Sequence, residues 1–246
     1  MKNPGSKIII MRHGQALNNV NHFYSTNPNH PNYIEAPLTD YGKQEVENSA
    51  KELLKLNINK NNVIKLFVSP LPRTKETAQI LIKTGVASAN VELIENIITE
   101  RQAGDREGQD AKIDNMEKNN NHANAHSYDG ETDQDVYDRV LPLYSEIINR
   151  IPFEAQPYSH SNGFDPAFAK ASAGRLAFSP EQSRRVTTSA RPELCRGIRA
   201  VSEEGYSTFT GNIIIVTHET TAKELIKLFT GKRIILNNAQ FVIVDL

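Results

Sequence analysis

Short uninterrupted apolar runs occur at Ile8–Met11, Leu66–Val68, Ile213–Val216 and Phe241–Val244. Runs this short, dominated by β-branched residues and bounded by polar ones, predict strands buried on both faces. A further strand is expected between Val91 and Ile98. Between these runs the apolar period changes to that of a helix. Val46, Ala50, Leu53, Leu54 and Leu56 predict an amphipathic helix over residues 40–56 with Thr39 as its N-cap. Ala78, Ile80, Leu81 and Ile82 predict another, from Arg73 to about residue 83. Val136, Val140, Leu143, Ile147 and Ile148 predict a third over Asp133–Ile151, kinked at Pro142. Ala222, Leu225, Ile226 and Leu228 mark a fourth. Strands alternating with helices imply a three-layer α/β/α fold around a mostly parallel sheet.

The polar stretches are as informative. Gln15–Pro37, rich in Asn and Pro, reads as a loop near the carboxyl end of the first strand. Residues 102–132 read as a second loop, a candidate lid, with one short helix around residues 109–118. Asn237-Asn238 is the turn into the last strand. Residues 153–210 break the pattern: the flanking chain is rich in Asn, Lys and Ile, whereas this stretch is rich in Ala, Ser, Arg, Pro and Gly. It is read as a low-periodicity insertion, poorly ordered, in a single catalytic domain made of residues 1–152 and 211–246. It resembles a translated repeat element.

Composition narrows the function. A formal charge of −1 over 246 residues leaves no basic excess for wrapping nucleic acid, so any anion site must be local. Cys195 is the sole cysteine and no Cys/His spacing suits zinc, so neither a disulfide nor a metal is expected. The segment Met1–Lys7 precedes only four apolar residues, too few for a signal peptide or a membrane span. The expectation is a cytoplasmic protein with no metal, cofactor, membrane or nucleic-acid partner, and with an oligomer allowed but not predicted.

Candidate chemistry gathers where strands end. Arg12 and His13 follow the first strand, Arg73 follows the second, Glu100 the third, and His218 the strand Ile213–Val216. Ligands of open α/β sheets bind at that edge. Two guanidiniums suit the oxygens of a phosphoryl group, and a neutral imidazole is a competent nucleophile toward phosphorus. Each residue alone has an ordinary structural use; their conjunction at successive strand ends is what points to phosphoryl chemistry. His22, His30, His122, His126 and His160 fall in polar segments and are read as exposed loop residues.

The motifs resemble those of the histidine phosphatase superfamily, the phosphoglycerate-mutase-like fold. Arg12-His13-Gly14 with Asn19 is similar to that family's opening motif, and Leu38-Thr39-Asp40-Tyr41-Gly42 to its next element. Ser69-Pro70-Leu71-Pro72-Arg73-Thr74 carries the second arginine. Glu100-Arg101 resembles the acid-bearing segment, Gly130-Glu131-Thr132 the motif before a helix, and Thr217-His218-Glu219 the second histidine. The resemblance implies a phosphohistidine on His13, with Arg12, Asn19, Arg73 and His218 binding the phosphoryl group and Glu100 as acid and base. Gln15 and Ala16 stand where the family often has Glu and then Ser or Thr. A phosphatase acting on a small phosphorylated metabolite is the leading expectation. A phosphoglycerate mutase and a non-catalytic phospholigand-binding protein stay open.

Overall fold

The computed structural model describes residues 6–112, 125–150 and 211–245, all in one unit of the chain. Five strands form one sheet: β1 (Lys7–Arg12), β2 (Val63–Val68), β3 (Glu92–Ile94), β4 (Asn212–Thr217) and β5 (Phe241–Asp245), in the order β3-β2-β4-β1-β5. β1, β2, β3 and β4 run parallel to one another and β5 pairs antiparallel with β1. The mostly parallel sheet is therefore as expected. β1 and β4 lie side by side in its middle, which is why Ile8–Met11 and Ile213–Val216 are apolar at every position and fully buried.

Strand alternation divides the core between two faces. Ile9, Met11, Leu66, Val68, Ile214 and Val216 pack with Val46, Ala50 and Leu53 of α2 (Asp40–Lys55) and Ala78 and Leu81 of α3 (Pro72–Lys83). Ile8, Ile10, Phe67, Ile213 and Ile215 pack on the other face with Val140, Leu143 and Ile147 of α4 (Asp133–Asn149) and Ala222, Leu225 and Ile226 of α5 (Glu219–Thr230). Thr39 caps α2 by accepting from Gly42 N, and Thr132 caps α4 by accepting from Asp135 N. Each such cap stabilises its helix by about 1 kcal/mol. α4 continues through Pro142.

Three expectations change. The segment read as a loop over residues 15–37 contains a short helix, α1 (Leu17–Asn21), started by the Asn19 carboxamide oxygen accepting from Ala16 N at 2.9 Å. The strand expected over residues 91–98 is only three residues long, because a 3₁₀ turn at Asn96–Ile98 buries Ile98 and leaves the sheet edge. Residues 109–112 form turn and bridge instead of helix, and the rest of that expected helix lies outside the described residues, as does the insertion 153–210. His22 is exposed and His30 half-buried, while nothing is described of the His122, His126 and His160 side chains.

Candidate active site

The carboxyl ends of β1, β4 and β2 deliver the cluster. His13 N donates to Thr217 O and Ser69 N to Val216 O, so the sheet pairing continues just past the strands and fixes the residues that follow. Gly14 must be small: a Cβ there would stand 2.4 Å from Gly42 O, and one on Gly42 would stand 2.0 Å from Gln15 O. The turn after His13 thus lies directly on α2. Gln15 turns its side chain to Thr39, accepting from the hydroxyl at 2.9 Å, and Ala16 is fully buried. Positions 15 and 16 brace the start of α2.

His13 is 2 % exposed, and its Nδ1 lies 2.7 Å from Gly14 O. A carbonyl only accepts, so Nδ1 carries the proton and Nε2 the lone pair. That Nε2 accepts from Arg73 Nε at 3.1 Å. Burial, then the Arg73 and Arg12 charges, hold the His13 imidazole well below its ordinary titration range, outweighing the Gly14 hydrogen bond. His13 is therefore neutral at physiological pH.

His218 meets His13 edge to face, with ring centroids 5.1 Å apart. Its Nε2 lies 2.7 Å from Ser69 Oγ, and its Nδ1 lies 4.0 Å from Glu100 Oε2. Burial, then Arg73, His13, Arg12 and Arg139, hold this imidazole neutral as well. Arg73 is buried, and desolvation pushes its guanidinium down to about 10, Glu100 being the leading charge that opposes the fall. It stays cationic at neutral pH. Arg12 donates from Nη1 to Leu236 O at 2.8 Å and pairs with Glu219 Oε2 at 2.6 Å.

Within the cluster, Arg12 Nε, Arg73 Nη1 and His218 Nδ1 are buried and have no hydrogen-bond partner. Leaving such groups unpaired is costly unless a ligand satisfies them. Each comes from a different residue of the cluster, and an oxyanion would supply acceptors for the two guanidinium atoms, and for His218 Nδ1 when that nitrogen carries the ring proton. The structure thus brings Arg12, His13, Arg73, Glu100 and His218 together. The Asn19 carboxamide oxygen accepts from Ala16 N, which leaves its NH2 group to donate.

A family model for the histidine phosphatase superfamily, branch 1, matches residues 8–160. The chain belongs to this superfamily. The matched residues hold Arg12, His13, Arg73 and Glu100 but end before His218, which the fold itself places against His13. Solved structures with the same fold include Bacillus stearothermophilus YhfR, 18% identical, with a TM-score of 0.58 over 98% of this chain and 91% of that one. Mycobacterial glucosyl-3-phosphoglycerate phosphatase is 16% identical, with a TM-score of 0.56 over 97% and 89%. The α-ribazole phosphatase of Shigella flexneri is 16% identical, with a TM-score of 0.55 over 98% and 90%. No curated protein sequence matches the chain. Superfamily members of this kind are phosphatases and mutases, acting on phosphoryl groups.

The motifs gave no sign of two contacts. Glu219, the residue after His218, is the ion-pair partner of Arg12. Glu107 is buried and accepts from Thr26 N and Thr26 Oγ1 at 2.7 and 2.5 Å, tying the loop that follows Glu100 to the one that follows α1. A carboxylate at the first position of a helix, directly after a strand-end histidine, is the signal that could have revealed the first. The second depends on two loops meeting and has no local signature.

Proposed function

We propose that the protein is a phosphatase that hydrolyses a small phosphorylated metabolite through a phosphohistidine on His13. The observation that carries this reading is the buried His13, whose Nδ1 faces Gly14 O and whose Nε2 faces Arg73, in a cluster where Arg12 Nε, Arg73 Nη1 and His218 Nδ1 have no partner. Nε2 attacks phosphorus, a P–N bond forms, and the ester P–O bond breaks. Arg12, Arg73 and His218 hold the phosphoryl oxygens, with Asn19 as a further donor, and offset the charge of the transition state. Glu100 protonates the leaving oxygen. Its carboxylate then takes a proton from water, whose oxygen attacks phosphorus and frees His13.

The Arg73 hydrogen bond to Nε2 keeps the nucleophile oriented before substrate arrives. Burial of both imidazoles removes competing protonation, so the lone pair is available across the neutral range. The named phosphatases of the same fold act on phosphate esters of small molecules, which supports a substrate of that class. The test is phosphate release from an aryl phosphate by wild type and by His13→Ala, run beside a panel of phosphorylated metabolites that includes both phosphoglycerates. Loss of release in His13→Ala is expected. Equal rates would remove His13 as nucleophile, and isomerisation faster than release would make the protein a mutase.

A further inference from the structure

Glu100 sits on irregular backbone, so something other than a strand or helix must aim it. Four successive carbonyls around it are all engaged. Ile97 O accepts from Arg139 Nη1 at 2.6 Å, Ile98 O from Thr217 Oγ1 at 2.6 Å and Thr99 O from Thr221 Oγ1 at 2.6 Å. Glu100 O accepts from Gln102 Nε2 at 3.2 Å and Arg139 Nη2 at 3.4 Å. Thr217 and Thr221 flank His218 on β4 and α5, which registers the acid's segment against the second histidine.

Arg139 does the same from α4. Its guanidinium is itself fixed by a two-pronged pair with Glu131, Nε to Oε1 at 2.8 Å and Nη2 to Oε2 at 2.9 Å, with both side chains about four-fifths buried. Glu131 continues the clamp: Oε2 accepts from Gln102 N at 2.9 Å, the Glu131 N–H donates to Gln102 O at 2.9 Å, and Glu131 O accepts from Arg101 Nη1 at 3.1 Å. A planar fork held this way is rigid, and a lysine cannot reproduce it. The backbone on both sides of Glu100 is therefore locked by one side-chain pair that touches none of the reacting groups.

We propose that Arg139, braced by Glu131, is the positioning residue for Glu100, setting the reach of the acid–base carboxylate toward the leaving oxygen. The proposal rests on the acid role given to Glu100 above. An error of about 1 Å in such a group slows its step by about a hundredfold. In kcat/KM, which covers the steps up to phosphoryl transfer, the slowing falls only on substrates whose leaving oxygen needs the proton. A clamp serving stability alone would instead change all substrates alike.

The experiment compares kcat/KM on para-nitrophenyl phosphate, whose leaving group needs no proton, with that on phenyl phosphate, whose leaving group does. The variants are Arg139→Lys, Glu131→Gln, Glu100→Gln and each of the first two combined with Glu100→Gln, with folding checked by thermal unfolding. Arg139→Lys and Glu131→Gln are expected to lose about tenfold more on phenyl phosphate than on para-nitrophenyl phosphate, and to add little once Glu100 is already Gln. Where Arg139→Lys does not fold, Glu131→Gln gives the same reading. Equal losses on both substrates, or losses that simply add in the Glu100→Gln background, overturn the positioning role while leaving the acid in place. A Glu100→Gln enzyme with no preference between the two substrates removes the acid role itself, and the positioning role with it.

Discussion

The site has a cationic half and an acid half, and they are built differently. Arg12, His13, Arg73 and His218 sit at the ends of β1 and β4 and in the first turn of α3, where sheet pairing and helix formation dictate their place. Glu100 follows a three-residue edge strand and a 3₁₀ turn, and is placed by side chains reaching from α4, β4 and α5. The groups that meet the phosphoryl group, two guanidiniums and two neutral imidazoles, are set at the ends of regular structure. The group that must both give and take a proton is held by contacts that single substitutions can loosen.

The largest break of this contrast is His13→Ala, expected to lower phosphate release by at least about a thousandfold, since it removes the Nε2 nucleophile that Arg73 orients. Arg73→Lys comes next, at about a hundredfold in kcat/KM, because a lysine retains charge but not the Nε hydrogen bond to His13 together with the free Nη1. Arg12→Lys should cost less than Arg73→Lys, since Glu219 already shares that guanidinium. Steady-state kinetics on one aryl phosphate ranks all three, and an Arg12 loss exceeding that of Arg73 would reverse the order argued here.

The acid half responds selectively. Glu100→Gln should cost about a hundredfold on phenyl phosphate and only a few-fold on para-nitrophenyl phosphate. Stability separates the halves again. His13 and His218 titrate lower folded than unfolded, so the unfolded chain takes up protons first. Their contribution is complete above the ordinary value of 6.5 and is lost as pH falls through it. Each contributes a slope of up to about 1.4 kcal/mol per pH unit below that point. Urea unfolding of wild type and His218→Gln between neutral and mildly acidic pH checks this, the variant being expected to show the shallower slope.

The smallest effect is expected from deleting residues 155–208. At the amino end of β4, Asn212 N donates to Asn62 O, whereas His218 follows its carboxyl end. Six residues at about 3.3 Å each put roughly 20 Å between those ends. We propose that the deletion leaves kcat/KM within about threefold of wild type, because every candidate site residue lies outside this low-periodicity stretch. Loss of activity in folded protein would show that this stretch serves the site.

What the sequence made legible follows the same division. β1 and β4 could be read from Ile8–Met11 and Ile213–Val216 because a strand buried on both faces needs apolar residues at every position, and the cationic residues then follow from where those runs stop. β3 was overextended because Ile97 and Ile98 are as apolar as strand residues, yet Ile98 is buried from a 3₁₀ turn. α1 was read as loop because its helix is started by a side chain, Asn19, in a segment whose composition favours turns. Glu100 is legible from its place after an apolar run and from its motif, whereas the Arg139–Glu131 clamp is not, since pairing a helix side chain with carbonyls about 40 residues away leaves no local period.

The central claim is a covalent phosphohistidine at Nε2 of His13. Wild type is mixed rapidly with an aryl phosphate, quenched at alkaline pH where phosphohistidine survives, digested and read by mass spectrometry. A peptide containing His13 that carries one added phosphoryl group, absent from His13→Ala, is the predicted result. Turnover by wild type with the label on another residue, or undiminished turnover by His13→Ala, would contradict it.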